Sequence, residues 1–210
     1  MVTYSETYRK TLIPSECKTC RACGLYINQK PLIDTAGHAE IFWVGLSAVR
    51  NSSSDDHLPL SVNTRSGSLL KEIERPFKNS FSFYRTNLVK CLPLKEDKIR
   101  YPSSKEMSNC FTNLTDEIEE ISPKLIFLLG KQVGDFVLHS LLGHKTTSSP
   151  NFEYLQYEWQ DKILVPVHHP SYVLIYKRRY LGKYMDRIRS ITRDHLLSPT
   201  PNSGPIYEPI

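Results

Sequence analysis

Residues 123–143 read PKLIFLLGKQVGDFVLHSLLG and decide the kind of fold. The apolar run LIFLL is short and lies between Pro123-Lys124 and Gly130, which is typical of a buried strand. After the turn at Gly130, the apolar residues recur at the spacing of one helix face. This stretch therefore predicts a strand, a glycine turn and a helix in direct succession, which is the repeating unit of an α/β fold.

Strands and helices alternate on both sides of this unit. Strands are predicted at 40–46 (EIFWVGL) and 83–93 (FYRTNLVKCLP), and residues 152–169 predict two strands, possible partners in a hairpin, with a break near Gln160-Asp161. Helices are predicted from Ser66 or Ser68 to Pro76, over 105–122, and over a basic segment from 171 to about 196. The alternation predicts a three-layer α/β/α fold with a central, mainly parallel four-stranded sheet. Residues 1–197 are expected to form one domain, with a cysteine-rich N-terminal segment, and residues 198–210 a flexible Pro-rich tail.

Length, hydropathy and charge limit the class of protein. A chain of 210 residues with 40% hydrophobic residues can bury one substantial core. No apolar stretch approaches the ~18 residues that a membrane span needs, and residues 1–17 lack the apolar centre of a signal peptide. We therefore expect an intracellular, cytoplasmic and nucleoid-associated protein. The net charge of +5 permits a polyanionic partner without identifying one.

The five cysteines are more informative than the charge. Three of them, Cys17, Cys20 and Cys23, form overlapping C-x-x-C pairs, and Cys91 and Cys110 stand further along the chain. An odd number of cysteines without an export signal argues against a disulfide framework. A C-x-x-C pair with two distant cysteines can supply four thiolates to a metal, and both zinc and an iron–sulfur cluster accept such a set. The alternative is that Cys91 and Cys110 are buried, unreactive residues.

Polar side chains follow each predicted parallel strand. They are Ser47 and the residues after it, Asn87, Gly130-Lys131 and His168-His169. Because ligands of parallel α/β sheets bind beyond the carboxyl ends of the strands, these residues are expected to converge on one site.

The order of several motifs resembles that of a known family. The motifs are CRACGL, VGLSAV, PLSVNTRSGSLL, TNLVKCLP, SNCFTNL, PKLIFLLG and HHPS, and they span roughly residues 17–195. In this order they resemble the uracil-DNA glycosylase superfamily, most closely its iron–sulfur branch, families four and five. The resemblance implies a monofunctional DNA glycosylase with DNA as its partner, acting on a base flipped out of single- or double-stranded DNA. It also implies a [4Fe–4S] cluster held by Cys20, Cys23, Cys91 and Cys110, with zinc as the alternative and Cys17 extra to the pattern. We further expect a monomer.

The resemblance also implies roles for individual residues. His169 matches the catalytic histidine of the family's His-Pro-Ser loop, in which Pro170 and Ser171 would contact DNA. Asn87 matches the asparagine that reads the flipped pyrimidine. Gly45, Leu46, Ser47 and Leu60 fall on positions that line the base pocket. From the sequence alone, Lys177, Arg178 and Arg179 are either phosphate contacts or a solvated helix face.

Three departures from the family pattern bear on the chemistry. Leu46 stands where family four has a water-positioning glutamate, and Thr64 stands where family five has an aspartate. Leu60 replaces the aromatic ring that stacks on uracil in family four. We therefore consider Asp55 or Asp56 for water activation and Asn63 for positioning the water, while a solvated loop remains the alternative for the two aspartates.

These departures favour a substrate other than uracil. A larger pocket would suit a modified pyrimidine, such as a hydroxymethylated or glucosylated cytosine of phage DNA, and antiviral defence follows as a hypothesis. The alternatives are an ordinary uracil-DNA glycosylase of base-excision repair and a non-catalytic iron–sulfur or zinc protein that binds DNA.

Overall fold

The computed structural model describes residue 17, residues 19–34, 37–50, 58–147 and 149–197, and the backbone of residues 206–207. Its central sheet has six strands in the order β2-β1-β5-β7-β6-β8. The strands are β1 (Ile41–Ser47), β2 (Phe83–Val89), β5 (Leu125–Leu129), β6 (Gln156–Trp159), β7 (Lys162–Val167) and β8 (Ile206–Tyr207). A separate two-stranded ribbon pairs β3 (Leu94–Lys95) with β4 (Lys98–Ile99).

In the part of the chain that the structure describes, five α-helices flank the sheet. They are α1 (Arg65–Glu74), α2 (Ser104–Ile121), α3 (Lys131–Leu142), α4 (Pro170–Tyr176) and α5 (Leu181–Leu196). Short 3-10 turns cover Gly24–Ile27, Arg75–Phe77 and Arg178–Tyr180. Among the described helices, none is both long enough and apolar enough to cross a membrane.

The period-2 alternation of the strands divides the core into two layers. In β1, Phe42 and Val44 pack with residues of α2 and α3, whereas Ile41 and Trp43 pack with residues of α1, α4 and α5. Both faces of the central strands are therefore covered, which explains why LIFLL is an uninterrupted apolar run. The three-layer α/β/α prediction is confirmed.

The sheet is larger than predicted, while its parallel part is as expected. β2, β1, β5 and β7 are the four parallel strands. β6 pairs antiparallel with β7 as a hairpin, with a break at Gln160, whose φ of 56° is left-handed. β8 adds a further strand from within the predicted flexible tail, because its backbone pairs with β6.

Two predicted helix boundaries are wrong. α1 begins at least two residues before its predicted start, because Thr64 rather than Ser66 or Ser68 is its N-cap. Thr64 Oγ1 accepts a hydrogen bond from the Gly67 backbone N–H at 3.0 Å. The basic segment is two helices rather than one. Its break at Lys177, the residue that ends α4, lets Val173 on α4 and Tyr184, Ile188 and Ile191 on α5 reach the same core layer.

Candidate active site

The carboxyl ends of the parallel strands bring the predicted site residues to one edge of the sheet. Asn87 on β2 lies directly beside Gly45 on β1, and Leu129 on β5 lies beside Val167 on β7. Val44 on β1 is paired with Leu128 on β5, and Gly45 and Leu129 are the next residues along these two strands. The two pairs therefore lie at the same level of the sheet. His169 follows Val167 by two residues. At the usual strand spacing, Asn87 and Val167 stand roughly 14 Å apart, on either side of the ends of β1 and β5.

Asn87 depends on the glycine beside it. Its side chain is 2% exposed, and its Oδ1 lies only 2.3 Å from the position that a Cβ on Gly45 would occupy. Any side chain at position 45 would therefore displace the amide. The amide has both a donor and an acceptor, which is the chemistry needed to distinguish a carbonyl from an amino group on a base edge.

Leu60 forms an apolar wall next to these two residues. Its Cδ2 lies 3.2 Å from the same Cβ position on Gly45. The Leu60 backbone has a left-handed φ of 51°, and its carbonyl accepts a hydrogen bond from Arg85 Nη1 at 3.1 Å. Arg85 is itself held by two hydrogen bonds to Glu74, so the loop that carries Leu60 is tied to β2 and α1.

His169 is oriented by the turn that it begins. Its Nδ1 accepts the backbone N–H of Ser171 at 3.2 Å and lies 2.7 Å from Ser171 Oγ. Because Nδ1 is the acceptor, the proton of the neutral ring lies on Nε2, which is left as a donor. Burial lowers the pKa of His169 below its ordinary value of 6.5, so the ring is neutral at physiological pH. Gly130 lies against this histidine, since a Cβ there would come within 3.2 Å of His169 Cβ.

His168 points into a different environment from His169. Its Nδ1 lies 2.9 Å from the Tyr154 hydroxyl, and its carbonyl accepts a hydrogen bond from the Tyr184 hydroxyl at 2.9 Å. Its ring stacks on Tyr172, with centroids 5.5 Å apart. Burial, followed by the nearby charge of Lys177, lowers the pKa of His168. The two adjacent histidines are therefore neutral rings held by different partners.

The candidates for water activation are not all described. Asp55 and Asp56 lie outside the described residues. Asn63 is exposed and lines a broad surface cavity of about 670 Å³ together with Leu174 and Arg178. Thr64 uses its hydroxyl within the turn, donating to the Ser61 carbonyl at 2.7 Å and capping α1. Leu46 is half-buried and packs against the α2–α3 core layer, and Ser47 is half-buried beside it.

The predicted basic residues lie close to the His-Pro-Ser turn. Pro170 is buried at the first position of α4, and Ser171 is half-buried. Arg178 and Arg179 are exposed in the short turn between α4 and α5, and Lys177 is half-buried. Among the described residues, none of these three cations forms an ion pair.

All five cysteines line one small cavity between the N-terminal segment, β2 and α2. The Lys90 backbone N–H donates to Cys110 Sγ at 3.4 Å, and Asn113 Nδ2 lies 3.8 Å from Cys20 Sγ. Burial raises the pKa values of Cys17 and Cys91 to about 12. These thiols would therefore stay protonated unless a metal bound them, because metal coordination removes the proton.

The arrangement of the cysteines bears on which metal group they could hold. Within the described residues, no group of three or more His, Cys, Asp or Glu side chains is arranged to hold a metal ion. Zinc would require four sulfur atoms about 3.8 Å from one another, given Zn–S bonds of about 2.3 Å. The five thiols nevertheless line one cavity, and four thiolates there could serve either a zinc ion or an iron–sulfur cluster.

Comparisons with known proteins identify the family of the chain. Residues 34–192 match the model of a family described as the uracil DNA glycosylase superfamily. The chain belongs to the uracil-DNA glycosylase superfamily. The resemblance seen in the motifs is thereby confirmed, and with it the expectation of an enzyme of the DNA glycosylase class.

Three archaeal relatives share this family and most of the chain length. The chain is 29% identical over 171 residues to a type-4 uracil-DNA glycosylase of Saccharolobus solfataricus, covering 78% of this chain and 76% of the relative. It is 25% identical to the type-4 uracil-DNA glycosylase of Sulfurisphaera tokodaii, covering 85% of this chain and 83% of the relative. It is 26% identical to that of Archaeoglobus fulgidus, covering 85% of this chain and 89% of the relative. The crystal structure of WT Pedobacter heparinus SMUG2 covers 74% of this chain and 75% of its own, with a TM-score of 0.48 and 13% identity.

Sequence reasoning missed two features of this superfamily member. One is a buried ion pair between Lys90 and Glu117, 1% and 0% exposed, which lies beside the cysteine cavity. The other is a column of rings that runs from His168 through Tyr172 to Tyr176. The ion pair has no local signal, because nothing in the sequence pattern pairs Lys90 with a residue 27 positions away. The column does have one, because tyrosines four residues apart lie on the same face of a helix.

Proposed function

We propose that the protein is a DNA glycosylase that hydrolyses the N-glycosidic bond of a flipped, modified pyrimidine and leaves an abasic site. Family membership supports the reaction class. The observation that carries the proposal is the orientation of His169, whose Nδ1 accepts from Ser171 so that Nε2 is a donor at the sheet edge shared with Asn87.

The chemistry of base release explains why such a donor is needed. As the bond between the sugar C1′ and the base N1 breaks, its electron pair moves to the base and spreads onto the O2 oxygen. Positive charge develops on the sugar, and water then adds to C1′ while its proton is lost. A hydrogen bond from Nε2–H to O2 strengthens as negative charge develops there, so it stabilises the transition state more than the ground state.

Substrate choice is the part of the proposal that depends on Gly45, Asn87 and Leu60. Asn87 reads the edge of the flipped base, and Gly45 leaves room for its amide. Leu60 lines the pocket without a stacking ring. Without a stacking ring, the pocket loses about 1–3 kcal/mol of binding free energy for the flipped base. Plain uracil has no substituent that could restore this loss through other contacts. A substituent on a modified cytosine would make additional contacts and offset this loss, and defence against phage DNA would be a consistent role.

The water-activating group is proposed to be Asp55 or Asp56, with Asn63 positioning the water. Leu46 is apolar, and the Thr64 hydroxyl already donates to the Ser61 carbonyl and caps α1. Neither residue therefore replaces the missing carboxylate. If this is correct, Asp55→Asn or Asp56→Asn slows base release without weakening DNA binding.

Uracil excision in base-excision repair is the second candidate function. The observation that favours it is that the three relatives described above are type-4 uracil-DNA glycosylases at 25–29% identity. The two functions share the reaction and differ only in the base.

We also propose that Cys20, Cys23, Cys91 and Cys110 hold a [4Fe–4S] cluster, with zinc as the alternative. Such a cluster would tie the N-terminal segment to β2 and α2, where Asn109 Nδ2 already donates to the Ala22 carbonyl at 3.1 Å. Its role would be structural. A brown protein with broad absorbance near 400 nm supports the cluster, whereas a colourless protein that contains zinc contradicts it.

A panel of oligonucleotides tests the proposed function. Each carries one candidate base, either uracil, 5-hydroxymethylcytosine or glucosylated 5-hydroxymethylcytosine, in single-stranded and duplex form. Treatment with the protein and then with alkali breaks the strand wherever a base has been released. We expect breakage at a modified cytosine to exceed breakage at uracil. Equal or greater release of uracil would assign the protein to ordinary repair instead.

Site variants make the same assay specific for the proposed residues. His169→Gln should slow release by about 10²–10³-fold, the cost of one donor aimed at a developing oxyanion. Asn87→Ala should abolish release or change the preferred base. His139→Gln is the matched control, because His139 is exposed on α3 and away from the sheet edge. Full activity of His169→Gln would contradict the proposal.

A further inference from the structure

Three rings form a column that leads from the candidate active site to the protein surface. The His168 ring stacks on Tyr172 with centroids 5.5 Å apart and planes inclined by 20°. Tyr172 in turn contacts Tyr176, one helical turn later, with centroids 5.2 Å apart. The column begins at His168, the residue before His169, so its outer rings lie on the helix that follows the His-Pro-Ser turn.

The outer end of the column is exposed and lies next to a further exposed apolar side chain. Tyr172 is 41% exposed and Tyr176 is 71% exposed, and Ile175 beside them is 63% exposed. A contiguous group of exposed apolar side chains, unlike a single one, can mark a surface that binds a partner. The inner end is fixed, because the Tyr154 and Tyr184 hydroxyls and the edge of Phe152 hold His168 in place.

Positive charge follows the exposed rings in the sequence. Lys177, Arg178 and Arg179 directly follow Tyr176, and Arg179 lies over the ring of Tyr180 at 4.6 Å. None of the three cations is paired with an acid among the described residues. Exposed rings followed by cations that are unpaired among the described residues match the bases and the phosphates of a single nucleic-acid strand, with the planes of Tyr172 and Tyr176 inclined by 41° to each other. A duplex keeps its bases stacked on one another and offers nothing to an exposed tyrosine ring.

We propose that Tyr172 and Tyr176 form a stacking platform for unpaired bases of single-stranded DNA, with Arg178 and Arg179 contacting the phosphates beside them. This inference rests on the proposed function, because it takes the strand on the platform to be the one whose base reaches His169. The platform gives the protein a preference for single-stranded over duplex DNA, a property that the base-reading residues do not determine.

Binding of a fluorescent oligothymidine tests the platform without requiring base release. Tyr176→Ala should weaken binding of the single strand by about five- to 150-fold, the range for loss of one stacked base, and weaken binding of a hairpin duplex by much less. Tyr101→Ala is the matched control, because Tyr101 is 73% exposed and lies in the loop before α2. The control should bind like the unmodified protein. Equal effects of the two substitutions would overturn the proposal.

Two further variants separate stacking from other contributions. Tyr176→Trp should retain binding, because it keeps a ring at the same position, and weak binding by this variant would overturn the stacking argument. Arg178→Ala should reduce the salt dependence of binding by about 0.7 of a unit in slope, the value for one phosphate of a single strand, while Tyr176→Ala leaves the slope unchanged.

The outcomes also distinguish this proposal from the proposed function. If the protein binds single strands through Tyr176 but releases no base from any oligonucleotide, the platform proposal is supported and the proposed glycosylase function is contradicted. If the Tyr176→Ala variant releases a base from duplex DNA at the full rate and binds single strands as well as the unmodified protein does, the glycosylase function is supported and the platform proposal is contradicted.

Discussion

Substitution of Glu117 tests the buried ion pair beside the cysteine cavity. Glu117 is fully buried and accepts hydrogen bonds from Lys90, from Thr86 Oγ1 at 2.8 Å and from the Tyr84 hydroxyl at 3.3 Å. Glu117→Gln keeps the shape of the side chain but removes the charge that faces the buried Lys90 ammonium. Leaving one charge of a buried pair uncompensated costs about 3–5 kcal/mol.

The expected change in melting temperature follows from that cost. For a chain of this size, each kcal/mol of lost stability lowers the melting temperature by about 2–4 °C, so Glu117→Gln should lower it by roughly 6–20 °C. Thermal unfolding followed by far-ultraviolet circular dichroism measures the change. Lys131→Met is the control for an exposed pair, since Lys131 is 74% exposed where it contacts Asp135, and it should cost less than about 1 kcal/mol.

A double variant shows whether the loss arises from the unpaired charge. Lys90→Met combined with Glu117→Gln removes both charges, while the amide Oε1 still accepts from the Tyr84 hydroxyl and its Nε2 can donate to Thr86 Oγ1, which has lost Lys90 as its donor. We expect it to recover most of the lost stability, because neutral groups of similar volume often replace a buried pair at little cost. If Glu117→Gln melts like the control, or the double variant is less stable than Glu117→Gln, the account of this pair is refuted.

Three further predictions concern the sheet edge. Gly45→Ala should reduce base release at least tenfold, because its Cβ would fall 2.3 Å from Asn87 Oδ1, whereas Gly182→Ala, with nothing within 4 Å of its Cβ, should leave release unchanged. A rate for Gly45→Ala within twofold of the unmodified protein would contradict the packing argument. Burial lowers the pKa of His169 from 6.5, and protonation of Nδ1 would remove the hydrogen bond from Ser171 that orients the ring, so base release should stay level from neutral pH to about 6.5 and fall only in more acidic solution. A decline that begins above about pH 7 would be inconsistent with this. Stability should likewise decrease as the pH falls below 6.5, since the folded state disfavours the charged ring. Thr64→Ala should lower stability by about 0.5–2 kcal/mol through loss of the α1 cap, with base release largely retained; loss of release without loss of stability would instead assign Thr64 a catalytic role.

The parallel half of the fold could be predicted because its signals are local. LIFLL is bounded by a glycine turn, and its continuous apolar character follows from burial on both faces of the sheet. The same period and turn signals located β1, α2 and α3. β8 was not predicted, because a two-residue strand in a Pro-rich segment has no pattern of its own and forms only by pairing with β6.

The boundaries that failed depend on tertiary contacts. Thr64 caps α1 because the preceding turn presents the Ser61 carbonyl to its hydroxyl, whereas Ser66 and Ser68 are equally good caps by residue type. The break at Lys177 is set by the packing of α4 and α5 on one core layer, and no glycine or proline marks it in the sequence.

The candidate site was located by motif order, but its geometry was not. The sequence identified His169 and Asn87, whereas the tautomer of His169 depends on its contact with Ser171 and the position of Asn87 depends on the absent side chain at Gly45. The shared cavity between His169 and Asn87 remains a prediction. Asp55 and Asp56 also remain predictions, since they lie outside the described residues.

A crystal structure with bound DNA tests the central claim most directly. The DNA would carry the preferred base on a 2′-fluorinated sugar, which resists cleavage. We predict one base turned out of its strand, with His169 Nε2 about 2.6–3.2 Å from its O2 atom and the Asn87 amide bonded to another edge of the same base. A base that remains stacked in the DNA, or His169 and Asn87 facing separate cavities, would contradict the account.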